Sequence, residues 1–179
     1  MTPSSLQELY IEQLRDLYDA EHQIIKALPE MIEAATSESL KQALRSHLEV
    51  TKAQASRLET IFEKLEEKPK GEKCKGMQGV LKEGDGLVSQ IKRATVRDAA
   101  IIASAQCVEH YEMAGYGTAR AYATILGDEE ASDLLQQTLE EEKEADQELT
   151  SLAESINEDA AVKTVEGEGT TGTRKKRAA

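Results

Sequence analysis

Five acidic residues in this sequence stand where apolar residues belong: Glu21, Glu109, Glu112, Glu142 and Asp146. Glu21 occupies the row Leu14, Leu17, Glu21, Ile24, Leu28, which is spaced for one face of a helix. Glu142 does the same in the row Leu135, Thr138, Glu142, Ala145, Leu149, with Asp146 one turn further on. Glu109 and Glu112 are three residues apart, so they share a face inside an otherwise apolar segment. A fourth row is broken by His47, Thr51 and Gln54. Counted from the turns between helices, these intrusions share a level. Glu112 falls beside Glu142, Glu109 beside Asp146, and Glu21 beside Thr51 and Gln54. Laying the first half of the chain on the second brings Glu21 onto Glu112 and Thr51 onto Glu142, a weak pseudo-repeat.

Electrostatics decides what such a layer needs. Two carboxylates about 4 Å apart repel by about 4 kcal/mol at an effective dielectric near 20. Five in one core layer cannot all ionise without compensation. No Lys or Arg lies nearby on these rows, which leaves protons or metal cations. Hard oxygen donors with one His or Gln suit two divalent ions, iron or manganese first and zinc as an alternative. Glu112 and Glu142 are the expected central ligands, with Glu21, Glu109 and Asp146 completing the carboxylate set. Gln54 and His47 are outer contributors, and His47 reads equally well as a hydrogen-bonded core histidine.

Plainer readings hold elsewhere. A single Glu on a seam is usually an edge residue whose head reaches water, and it is the shared level that argues otherwise. His110 points off the carboxylate face and reads as structural, while His22 reads as solvated. Glu49 and Lys52 form an exposed pair, and the run from Glu140 to Glu144 is a wet face with Glu142 as its inward member.

Four long helices must carry these rows. Ser4 or Ser5 caps the first, with Glu8 near the capping-box position, and the pattern lasts to about residue 34. Thr36 to Ser39 break it and cap a second helix bearing Leu40, Leu44, Leu48, Leu58, Ile61 and Leu65, which fades at Lys68-Pro69-Lys70-Gly71. A short connection makes these two antiparallel neighbours. Residues 66–97 hold five glycines and one proline around a short amphipathic piece, which reads as a crossover along the bundle with one or two helical turns. The third long helix starts near Asp98, is apolar on nearly every side, and ends at Gly127-Asp128. The fourth turns Leu134, Leu135, Leu139, Leu149, Leu152 and Ile156 inward. One bundle domain over residues 1–157 is expected, followed by a disordered tail over 158–179.

Composition narrows the function. A net charge of -12 and a pI near 4.8 argue against a nucleic-acid partner. No apolar run approaches the roughly 20 residues of a membrane span. The opening MTPSSLQELY lacks a secretory leader, so a cytoplasmic location is expected. Cys74 and Cys107 fall in unlike settings and read as free thiols. Aromatic residues make up only 3% of the chain, so strands are not expected.

The segments LRDLYDAEHQ, HLEVTKAQ, KCKGMQG, VEHYEMAGYGT and LEEEKEAD together resemble the stress-associated YciE/YciF family of ferritin-like proteins. The likeness runs from about residue 4 to 155, in the same order and spacing. It implies an all-α, ferritin-like antiparallel four-helix bundle with an extra helix in the crossover, a homodimer, and a dimetal site. Some ferritin-like proteins carry Glu-x-x-Glu on the third helix, matched here by Glu109 and Glu112. Their second helix usually supplies Glu-x-x-His, where this chain reads Glu49-Val50-Thr51-Lys52 and lacks the His.

The leading functional expectation is a non-haem dimetal-carboxylate protein of the stress response, handling metal, oxygen or peroxide. Tyr18 or Tyr111 would then serve as the nearby electron source. The rival is a structural or interaction bundle, dimeric and without metal chemistry.

Overall fold

The computed structural model describes residues 2–162. Among them are five helices and no strand: α1 (Leu6–Ala34), α2 (Glu38–Lys64), α3 (Lys75–Val88), α4 (Ala94–Leu126) and α5 (Glu129–Ala161). The caps of α1 and α2 are those the sequence advertises. Ser5 accepts from the Glu8 amide, Ser37 from Leu40 and Asp128 from Ala131, each satisfying a helix-start donor. Gly127 closes α4 in the left-handed region at φ 80°, where glycine avoids the Cβ penalty.

Helices α1 and α2 pack together, as do α4 and α5, while α1 lies against α4 and α2 against α5. The start of α4 sits at the α1–α2 turn: Arg97 donates to Ala34 O, and the Asp98 carboxylate accepts from both Thr36 and Ser37. The end of α2 lies at the opposite end, where Lys64 pairs with Glu130. The chain between α2 and α4 therefore travels the length of the bundle.

Three boundaries differ from expectation. Helix α3 has 14 residues rather than one or two turns. Its glycines weaken it by propensity, but Met77 is fully buried, and Val80 and Leu81 pack on the core, which outweighs the deficit. Helix α4 begins four residues before Asp98, after Arg93, which provides no side-chain cap and so left no signal. Helix α5 continues to Ala161, past residue 157. Of the expected tail, residues 163–179 lie outside the described residues.

The interior has three layers. One apolar slab holds Tyr10, Leu14, Leu17, Leu58, Ile61, Phe62, Tyr116, Leu135 and Leu139. The other holds Ile24, Leu28, Leu40, Leu44, Ile101, Ala105, Val108 and Leu149, and α3 covers part of it. Between them, along every long helix, comes a break in apolar character. No helix among the described residues is long and apolar enough to cross a membrane.

Candidate metal centre

The break between the slabs is a polar layer. Helix α1 contributes Glu21, α2 Thr51 and Gln54, α4 Glu109 and Glu112, and α5 Thr138 and Glu142. Each is the residue at which its helix's apolar row crosses the same level. Glu21, Glu112 and Glu142 have no exposed surface, and Glu109 is only 2% exposed. His47 from α2 reaches the same layer. One ligating atom from each of His47, Glu109, Glu112 and Glu142 falls within 4.8 Å of all the others, a spacing that a metal ion can bridge.

Fixed donors hold two of the carboxylates. The Tyr116 hydroxyl donates to Glu21 Oε1. Gln54 Nε2 donates to Glu142 Oε1 at 2.5 Å and to Glu141 Oε2 at 3.2 Å. At the rim, Arg57 makes a two-pronged contact with Glu141, at 3.0 and 2.9 Å, and also donates to Thr138 Oγ1. The expectation of no nearby cation is thus corrected. Arg57 lies one turn beyond Gln54 on the same face, and its long apolar stem lets the charged head reach the layer's edge.

Burial lifts all four carboxyls above the ordinary range, and their mutual charge adds to it. For Glu21 and Glu112 burial is the first cause, followed by neighbouring carboxylates. Glu109 is raised by burial and then by its contact with Glu142. Glu142 is the least raised, to about 7, because Glu109, Gln54 and Arg57 oppose its burial. Burial also lowers the His47 imidazole to about 4, so it is neutral at pH 7.

Not every expected residue joins. Asp146 stands one turn along α5, where its side chain is 22% exposed, accepts from Gln106 and lies 3.4 Å from His110. Four residues of helix rotate it past the inward direction by about 40°. Glu49 and Lys52 form the outward pair expected of them. Tyr18 bonds Glu59 at the surface, and Tyr111 bonds Asp16 and Cys74 between α1, α3 and α4, so neither bonds the carboxylates. Tyr116 takes that place. Its spacing, four residues after Glu112 and seven after Glu109, already put it on their face.

The layer fits metal ions by its own chemistry. With the carboxyls ionised, Oε2 of Glu21, Glu109 and Glu142, both oxygens of Glu112 and Nε2 of His47 have no hydrogen-bond partner among the described residues. Buried acceptors of that kind are rarely left orphaned, and each one costs about 1–3 kcal/mol or more. A cluster of His and Glu side chains able to hold a metal is therefore present.

The family described as a domain of unknown function (DUF892) matches over residues 5–162. The chain is 42% identical over 154 residues to protein YciF of Escherichia coli strain K12, covering 86% of this chain and 93% of that protein. The crystal structure described as the E. coli stress protein YciF covers 87% of this chain and 99% of its own, with 40% identity and a TM-score of 0.84. A structure of YcfI from Rhodopseudomonas palustris, described as a candidate structural protein, covers 83% of this chain and 94% of its own. It shows 47% identity and a TM-score of 0.81.

Proposed function

The chain belongs to the DUF892 family, and from that membership and the buried carboxylate layer we propose a ferritin-like dimetal protein of the stress response. The orphaned oxygens of Glu21, Glu109, Glu112 and Glu142 carry the reading. Four carboxylates carry four negative charges, and two divalent ions supply four positive ones. Glu141 adds no net demand because Arg57 meets it at the rim. Oxygen donors with a neutral imidazole favour iron or manganese, with zinc as the alternative. Glu21, Glu109, Glu112, Glu142 and His47 would hold the ions. When bound, such ions supply Lewis-acid and one-electron chemistry toward oxygen or peroxide.

The chain's own residues do the positioning. Gln54 fixes Glu142, Tyr116 fixes Glu21 and holds a phenolic proton against it, and the two apolar slabs exclude water. Two free cysteines accord with a site of action inside the cell. The homodimer is part of the same proposal, with the exposed Ile125 and Leu126 at the end of α4 as apolar surface available to it.

A structural bundle without metal chemistry is the second reading. The raised carboxyls favour it, since protons held by buried Glu109 and Glu112 relieve much of the repulsion, and so does the description of the Rhodopseudomonas relative. Metal analysis after anaerobic loading with iron, manganese or zinc separates the two. Up to two ions per chain are expected, with an optical change when the iron form meets air. A ratio near zero for all three metals overturns the proposal.

A further inference from the structure

The aliphatic slab is not completely filled. A cavity of about 30 Å³ lies between α1, α2, α4 and α5, walled by Leu28, Leu44, Ala105, Val108 and Leu149 and closed at its inner end by His47 and Glu109. A single water needs roughly 10–15 Å³, whereas an engineered cavity of about 150 Å³ takes benzene. The space therefore suits a molecule of two or three atoms. Its position is specific, since its inner wall is part of the carboxylate layer.

The lining decides what chemistry the occupant has. Water or peroxide needs two to four hydrogen-bond partners to enter a buried space without loss. His47 and Glu109 close the inner end, but their unpartnered Nε2 and Oε2 atoms lie buried in the layer and not on the cavity surface, and most of the lining is aliphatic. Glu148 also lines the cavity but is exposed, so it stands at the mouth. An ion would leave its hydration shell here with nothing to replace it. On the layer's opposite rim, Gln54, Arg57, Thr138 and Glu141 form a polar network. The two approaches to the carboxylates thus differ in kind.

We propose that this cavity is a binding site for an uncharged, apolar diatomic molecule of the dioxygen class, held against His47 and Glu109 at the edge of the carboxylate layer. Occupancy itself rests on the cavity alone. Its use as a reactant store rests on the metal reading above. Ala105 is the control point, because it precedes Glu109 by one turn and faces the same space.

The test uses the metal-free full chain with labelled Leu, Val and Ile methyls, equilibrated under several bar of oxygen. Dissolved oxygen is paramagnetic, so methyls that it visits relax faster. Methyls of Leu28, Leu44, Val108 and Leu149 should show an enhancement several times that of Leu58 and Leu135 in the other slab. Ala105→Leu should remove the excess and leave metal uptake unchanged, and Leu44→Ala should increase it. Equal enhancement in the two slabs, or an excess that survives Ala105→Leu, overturns the site. If Ala105→Leu does not fold, the unchanged chain and Leu44→Ala still decide: no excess in either overturns it. Failed metal uptake alongside a methyl excess would refute the dimetal reading and leave this site standing.

Discussion

The two apolar slabs flank the same layer but are built from different side chains. The slab toward the α4–α5 turn contains all three fully buried aromatic rings, Tyr10, Phe62 and Tyr116. The slab toward the α1–α2 turn has no buried ring and carries the cavity beside His47, with Ala27, Ala43, Ala105 and Ala145 among its lining. Rings fill volume with few torsions, and here one of them also holds a carboxylate through its hydroxyl. Small side chains pack with more gaps, and the gap here opens onto the layer. Position along the bundle therefore predicts behaviour: the aromatic slab supplies stability and anchorage, and the aliphatic slab supplies access.

The largest effect should come from emptying the aromatic slab. Phe62→Ala is expected to lower unfolding stability by about 3–5 kcal/mol, the usual range for losing a buried ring. The loss should be similar with and without metal, because Phe62 belongs to the apolar slab and not to the ligand set. A denaturant midpoint series checks this, and a loss confined to the metal-loaded protein would erase the distinction between slab and layer.

The layer should respond in the opposite currency. Glu142→Ala is expected to weaken metal binding at least about 100-fold, or about 3 kcal/mol at 1.4 kcal/mol per decade. Glu49→Ala, on the exposed side of α2, should leave it unchanged. Calorimetric titration of both variants is the measurement. Equal losses would mean that α2 presents a different face to the layer from the one seen here.

Much of this organisation was legible in the residues. The seam violations at Glu21, Glu109, Glu112 and Glu142 located the layer, because a charge in an apolar row is costly and has few explanations. Capping residues located two helix starts, those of α1 and α2, because an unsatisfied amide selects Ser. Asp98, Arg57 and Tyr116 were less legible, since each acts through a partner distant in sequence. Asp98 caps a turn more than 60 residues earlier. Arg57 meets α5, and Tyr116 meets α1. Helix α3 is longer than its glycines predict, because glycine content speaks of propensity alone, whereas burial of Met77 is a tertiary term. Asp146 shares the level but not the direction, since a helix turns by 100° per residue.

The central claim is that these carboxylates are buried against one another until cations relieve them, and stability against pH tests it most directly. In the metal-free protein the folded values of Glu21, Glu109, Glu112 and Glu142 lie above the unfolded reference of about 4.3. The native state then binds more protons, so stability falls as pH rises through that window. His47 acts in the opposite sense. Its folded value of about 4 lies below the unfolded 6.5, so its contribution is lost as pH falls through that interval. Between pH 7.5 and 5.5 one imidazole subtracts about 1 kcal/mol, while each carboxyl that keeps its proton adds about 1 kcal/mol per pH unit. The carboxyls prevail. Metal-free protein should therefore gain stability on mild acidification, whereas metal-loaded protein should lose it as protons compete for the ligands. Glu142→Gln should stabilise the metal-free form by about 1 kcal/mol, by removing one buried charge at constant shape. A metal-free midpoint that is flat from pH 7.5 to 5.5, and lowered by Glu142→Gln, would contradict the account.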